Sequence, residues 1–377
     1  MRVLHVVGRL GRGGDSAVIL SVEKQLKERG ILFDFLTHNG YDPQTADLLR
    51  SSGSKVWVLR GDVRRMGAVR YFAAVCRLFR ENQYQAVHFH TSLQSGIGLL
   101  AARVSHVPIR ICHAHAAEIQ RKTSPAARII LAPVLKRMIW NNANVLAACG
   151  KEAGTFLFGK RPYCLLPNQI SPIPYLPGRE QKPKVEELKK VLNIPSNAVV
   201  LGQVGRMDWM KNSSYSLKIA AELAKKCETV LIYVGDGMER GDLEKESAFL
   251  CGKLPALKVI FAGRRKREEL PGFYHTFDYL LVPSKAGEGM PLTLLEAQAA
   301  GCPVLASDQV PQEADIGLGI VHFMPLNSPS VWAEKILSQG RFPRPDAQKI
   351  KRRFQELDRS EISLTERWLR LYTYEKN

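Results

Sequence analysis

The strongest constraint in this sequence is an alternation that runs twice. Short apolar segments rich in β-branched residues recur at strand length through the first half: RVLHVV, FDFLTH, KVWVL, AVHFH, IRICHAH and NVLAAC. Helical patterns separate several of them, as over residues 16–29 and 68–82. Strands alternating with helices predict a parallel sheet covered on both faces. The pattern breaks at PNQISPIPYLP, Pro167 to Pro177, where four prolines remove backbone donors and bias their neighbours to extended forms. A charged helical stretch, KPKVEELKKVL, follows, and the alternation restarts with AVVLGQVG, TVLIYVG, LKVIFAG, YLLVPS, PVLAS and GIVHF. The expectation is an α/β chain of two similar units, 1–170 and 171–359, closed by an amphipathic helix over 362–374. At 377 residues the chain exceeds one ordinary core, which agrees. Ligands of open parallel sheets bind beyond the carboxyl ends of the strands, so two such units facing each other are expected to enclose a cleft there.

Composition excludes several classes. No apolar run reaches the ~20 residues of a membrane span. The start, MRVLHVVGRLGRGG, has too short an apolar run for a signal sequence and reads as a buried first strand, so a cytoplasmic protein is expected. The seven cysteines are scattered and never form a C-x-x-C pair, which argues against a disulfide framework or a thiolate zinc site. Charge is uneven. Residues 1–170 hold 24 Lys and Arg against 10 Asp and Glu, a net +14, while residues 171–377 hold 30 against 26, a net +4. The first half is thus the expected contact for an anionic partner.

Three motifs follow strands. GRLGRGGDS, Gly8 to Ser16, offers Gly11, Gly13 and Gly14 before a helix, a place where phosphate meets backbone N–H groups. VGRMDWMKN, Val204 to Asn212, carries Arg206 and Lys211, two cations suited to a diphosphate. YVGDG and FAGRR bring glycine to the next two strand ends, where it permits a ligand to approach the main chain. KAGEGMPLTLLEAQAAG, Lys285 to Gly301, is a loop, a helix begun by Pro291 and a glycine stop. The N–H groups near Gly289, Met290 and Leu292 point from the helix start and form an anion site with Glu288 at its lip. Glu296 lies more than one turn in, where a carboxylate needs a hydrogen-bond donor.

PSKAGEGMPLTLLEAQAAGCPVLASD resembles the E-x7-E signature of retaining glycosyltransferases, especially the large family four. The Gly-rich first loop, GRMDWMKN and the PN connector follow in that family's order, and CHAH compares with the AHSH of bacterial capsule and exopolysaccharide enzymes. Two departures stand out: GGDS where the family has GGAE, and PNQIS where it has PNGID. The resemblance implies the GT-B fold, two Rossmann-like domains with parallel sheets facing across a cleft, and a last helix, about 360–377, packed back on the first domain. It implies a UDP-linked or similar nucleotide-sugar donor, a glycan or lipid-diphosphate-linked acceptor, and no metal cofactor. Arg206 and Lys211 would hold the diphosphate, Glu288 the sugar hydroxyls, and the amides of Gly289, Met290, Pro291–Leu292 the phosphates. Glu296 would bind the ribose, and Gly263, Arg264 and Arg265 the base. Gly13 and Gly14 would line the first loop. His115 would stand at the sugar's reacting face, with His113 as second candidate. The rival readings are a nucleotide-sugar 2-epimerase and a non-catalytic sugar-nucleotide binder.

His88, His90, His113 and His115 form two H-x-H pairs at strand ends. No carboxylate or thiolate accompanies them, so a zinc site is not expected. Two basic stretches, with Arg64, Arg65, Arg70, Arg77 and Arg80 in one and Arg121, Lys122, Arg128, Lys136 and Arg137 in the other, alternate with apolar residues. They suit an anionic bilayer surface. No nucleic-acid-binding module is recognisable.

Overall fold

The computed structural model describes residues 1–11, 14–116, 125–178, 180–285, 288–340, 342–357 and 361–373. The chain divides into two compact units, Met1–Gln169 with Glu361–Asn377, and Ile170–Ser360.

The first unit is built on seven strands: β1 (Arg2–Val7), β2 (Leu32–Thr37), β3 (Val56–Val58), β4 (Ala86–Phe89), β5 (Ile109–Ala114), β6 (Val145–Ala148) and β7 (Cys164–Leu165). All pair in parallel, in the order β3-β2-β1-β4-β5-β6-β7. The second unit has β8 (Val199–Val204), β9 (Thr229–Val234), β10 (Leu257–Gly263), β11 (Tyr279–Val282), β12 (Val304–Ser307) and β13 (Val321–Met324), again all parallel, in the order β10-β9-β8-β11-β12-β13. Both sheets therefore reverse direction beside their first strand, between β1 and β4 and between β8 and β11. The apolar runs of β4, β9, β11 and β12 are buried at every position, as strands covered on both faces must be. β7 escaped sequence reading because two exposed residues carry no periodic signal.

The last helix, Glu361–Tyr372, belongs to the first unit. The Thr365 hydroxyl donates to the Gln25 side chain at 2.8 Å, and Arg29 pairs with Glu366 at 2.5 Å. Its Trp368 and Tyr372 are buried. The proline-rich connector is not an exposed linker: Asn168, Gln169, Ile170 and Tyr175 are all buried. Among the described residues no helix is long and apolar enough to cross a membrane, and all seven cysteines are free thiols. Of the second basic stretch, Arg121 and Lys122 lie outside the described residues. Lys136 is spent on packing: its ammonium donates to the Phe156 carbonyl and lies over that ring at 4.5 Å.

Candidate active site

At the reversal of the second sheet, the loops after β8 and β11 leave side by side, which is where open α/β sheets place ligands. Three hydrogen bonds fix this pair of loops. The Asn212 amide donates to the Pro283 carbonyl at 3.1 Å, the Lys285 backbone N–H to the Met210 carbonyl at 2.9 Å, and the Gln203 amide to the Lys211 carbonyl at 2.9 Å. Asp208 shapes the turn by accepting from the Lys211 backbone N–H at 3.1 Å.

Lys211 is thereby aimed at Glu288. Its ammonium pairs with Glu288 Oε1. The Glu288 side chain is only 7% exposed and that of Lys211 17%. Glu288 Oε2 is buried and has no partner among the described residues. A buried carboxylate oxygen without a donor is costly and marks a position that a ligand's hydroxyl can complete. Arg206 sits on the same loop but points outward, 64% exposed, and pairs with Asp208 at 3.1 Å.

Gly289, Met290, Pro291 and Leu292 are buried and lead into the helix Leu292–Ala299. Pro291 is the residue before the helix, at φ −70° and ψ 118°, and not its first turn as the sequence implied. An extended ψ there turns the chain into the helix from outside. Pro291 offers no side-chain cap and the Leu294 N–H turns back to the Pro291 carbonyl at 3.2 Å, so the N–H groups ahead of it and the positive end of the helix dipole can serve an anion. One turn further in, Glu296 Oε2 accepts from the Tyr274 hydroxyl at 2.7 Å. Burial pushes its pKa up, opposed by that hydrogen bond and by the charges of Arg267 and Lys211. Tyr274 was missed by sequence reading, since a tyrosine twenty-two positions away in an unrelated helix carries no local signal.

FAGRR also reaches this edge. Gly263 takes φ +70° with open space where a Cβ would stand. The Arg264 side chain pairs with Asp236 at 3.3 Å, and that of Arg265 donates to the Ala262 carbonyl at 3.0 Å and pairs with Glu269 at 3.4 Å. YVGDG is corrected. A Cβ on Gly235 would meet the Gly205 carbonyl oxygen at 1.9 Å, and one on Gly237 the Met207 carbonyl at 2.1 Å. These glycines let strand-end loops pack on each other, so the side a Cβ would take is filled by backbone and not by a ligand.

In the first unit Gly14 opens the helix Gly14–Glu28, and Gly13 lies outside the described residues. The Gly11 N–H is spent on the Ser16 hydroxyl at 2.7 Å, which closes the loop on itself. The two H-x-H pairs do converge, with a fifth histidine the sequence reading did not single out. Register pairs His5 with His88 across β1 and β4, and the rings of His5, His88, His90, His113 and His115 share one sheet face. Burial holds His5 down to about 3, and His88, His90 and His113 well below the usual imidazole range. Two triads, His5–His88–His90 and His90–His113–His115, have ligand atoms within 4.8 Å of one another.

Known proteins match this chain in sequence and fold. A family model described as Glycosyl transferases group 1 matches residues 184–317, and one described as Glycosyl transferase 4-like domain matches residues 13–168. The putative glycosyltransferase EpsF of Bacillus subtilis (strain 168) is 33% identical over 365 residues, 94% of this chain and 92% of that one. The Escherichia coli UDP-Gal:alpha-D-GlcNAc-diphosphoundecaprenol alpha-1,3-galactosyltransferase is 26% identical over 62% of this chain and 60% of its own. Among solved structures, Anabaena HepE in complex with UDP and glucose superposes at TM-score 0.78 over the full length of both chains at 16% identity. The sucrose-phosphate synthase of Thermosynechococcus elongatus does so at 0.77 over 99% and 98%, at 19% identity. With a third of its residues shared along almost the whole of both chains, this protein belongs to the group 1 glycosyltransferases of the GT-B fold.

Proposed function

We propose that the chain moves a hexosyl or N-acetylhexosaminyl unit from a UDP-linked donor to a glycan or lipid-diphosphate-linked saccharide, with retention at the anomeric carbon, in exopolysaccharide or capsule synthesis. One observation carries the reading: a buried Glu288 with one oxygen on Lys211 and the other unfilled, at the mouth of an uncapped helix. The E. coli relative is named for a UDP-galactose donor and a diphosphoundecaprenol-linked acceptor, and the Anabaena structures hold UDP, glucose or UDP-glucose.

In this reading the diphosphate sits against the helix start and Lys211, with Arg206 turning in from solvent. As the bond to the leaving diphosphate stretches, charge builds on its oxygens, and fixed positive groups stabilise it without reorganising. The acceptor hydroxyl arrives on the same face, and the leaving phosphate takes its proton. Glu288 orients sugar hydroxyls, Glu296 holds the ribose, Gly263 with Arg264 and Arg265 the base, and Gly14 the first-domain loop. His115 contacts the sugar. Lys211, Arg206 and the helix start supply the charge that a metal would, so EDTA should leave the rate unchanged.

The test is transfer from UDP-sugars to lipid-diphosphate saccharides, with the product's anomeric configuration read by NMR. Inverted product refutes retention. Sugar interconversion without acceptor would make the protein an epimerase. The net +14 of residues 1–170 supports contact with the inner face of the cell membrane. Equal, low flotation with neutral and anionic liposomes would remove that part.

A further inference from the structure

The histidine face of the first unit is more ordered than a loose cluster. Starting inside, the Tyr372 hydroxyl meets His88 Nδ1 at 3.0 Å and His5 Nε2 at 3.2 Å. His5 Nδ1 meets His90 Nε2 at 3.1 Å, and His90 Nδ1 meets His115 Nε2 at 2.8 Å. Four hydrogen bonds thus run in series from His88 through Tyr372 of the last helix to His115, which is half-buried beyond the end of β5. His5 and His90 each spend both ring nitrogens in the series. A divalent ion at either triad would take lone pairs that these bonds use.

With the Tyr372 hydroxyl donating within it, such a chain has two arrangements of its protons; were that hydroxyl to accept from both rings, its own buried O–H would have no acceptor among the described residues. A neutral imidazole carries one N–H and one bare nitrogen, so each ring that accepts at one side donates at the other. Burial keeps His5, His88 and His90 neutral. If Tyr372 donates to His88, every bond runs inward and His115 must donate from Nε2. If Tyr372 donates to His5, every bond runs outward and His115 must accept at Nε2. The inner end decides between them. His88 Nε2 is buried with no partner among the described residues. The inward arrangement puts an N–H there with nothing to receive it, and the outward one leaves only a bare lone pair. Orphaned buried N–H groups are the rarer of the two in folded proteins.

We propose that the series Tyr372–His5–His90 holds His115 as the neutral tautomer with its proton on Nδ1, so that His115 acts as a hydrogen-bond donor toward an oxygen of the transferred sugar and not as a base. The three are positioning residues. Their effect on transfer rests on the reading of His115 as a sugar contact. The tautomer itself does not.

The experiment is long-range 1H–15N NMR of the full chain labelled in histidine, with the His115 signals assigned by their loss in His115→Gln. The expected pattern is a protonated Nδ1 and a bare Nε2 on His115. A proton on Nε2, or the averaged pattern of free imidazole, overturns the proposal, as does stoichiometric zinc in the purified chain. His90→Phe removes the N–H that feeds His115, and the pattern should revert to an average. His90→Gln, whose amide N–H can donate in its place, should restore it. An unchanged pattern in His90→Phe also overturns the proposal. With transfer, kcat should fall about tenfold in His90→Phe, the value of one lost hydrogen bond, while the donor KM stays within about twofold. A changed tautomer with unchanged kcat supports the relay and removes the sugar-contact reading of His115 instead.

Discussion

The two units share one order over six strands, the first unit adding β7 at its edge, and put opposite chemistry at the same place on it. At its reversal the first sheet gathers five imidazoles, four of them buried and uncharged. The second gathers an ammonium, two carboxylates and an uncapped helix end. The topology fixes where a site forms, and the side chains at the strand ends decide whether it works through charge or through hydrogen bonding.

Acid separates the two most strongly. For His5, His88, His90 and His113 the folded state refuses protons that the unfolded chain accepts below about pH 6.5. Their contribution is present above that value and lost as pH falls. The slope is about 1.4 kcal/mol per pH unit for each proton, so four such groups remove about 5 kcal/mol between pH 6 and 5. That is comparable with the whole stability of a domain. Glu296 has the opposite sign: its raised pKa gives stability present below the unfolded value and lost as pH rises through the folded one. The second unit also holds histidines pushed down by burial, His275 to about 4 and His322, but fewer of them, so hydrogen exchange by mass spectrometry at pH 7 and pH 5 should show the first unit losing much more protection than the second. Equal loss in both would break the comparison.

Next in size is the Lys211–Glu288 pair. Lys211→Met leaves a buried carboxylate unpaired, which should cost about 3–5 kcal/mol by denaturant titration. Adding Glu288→Gln should recover most of that loss, because no buried charge then remains. Neither variant should transfer sugar, with rates down by about 10²–10³ or more. Recovery of stability without activity separates the fold from the chemistry. Recovery of both would refute the assignment.

Much of this was legible in the sequence, and the reason is local. The alternation marks the strands because β-branched runs and helix patterns are properties of neighbours in the chain. Glu288, Lys211 and the helix start were found because strand ends announce loops, and glycine and proline announce helix starts. Partnerships across the sheet left no such trace. Tyr274 reaches Glu296 from another helix, and His5 and Tyr372 join the histidines from the first strand and the last helix, 367 positions apart. YVGDG misled because glycine looks the same whether a ligand or the Gly205 backbone approaches it.

Glu296→Gln should be gentler than any change at Lys211. The amide keeps an acceptor for Tyr274 and removes a buried charge, so thermal stability at pH 7 should hold or rise by about 1 kcal/mol. UDP affinity should fall about tenfold if the carboxylate binds ribose hydroxyls, through loss of a charge-assisted hydrogen bond. Isothermal titration that finds unchanged affinity would return Glu296 to a structural role.

The smallest effect is expected at Arg206. Its guanidinium is 64% exposed and its bond to Asp208 is an ordinary surface pair, so Arg206→Ala should change stability by under about 0.5 kcal/mol. If it swings in on the diphosphate, the same variant should still weaken UDP by several-fold and spare uridine, which has no phosphate. Weakened binding that falls away above about 0.5 M salt would fit a solvent-facing phosphate contact, since exposed charge pairs are screened. Loss of uridine binding by the same factor would instead mean that Arg206 holds the loop, and the cation at the second unit's strand ends would be Lys211 without its partner.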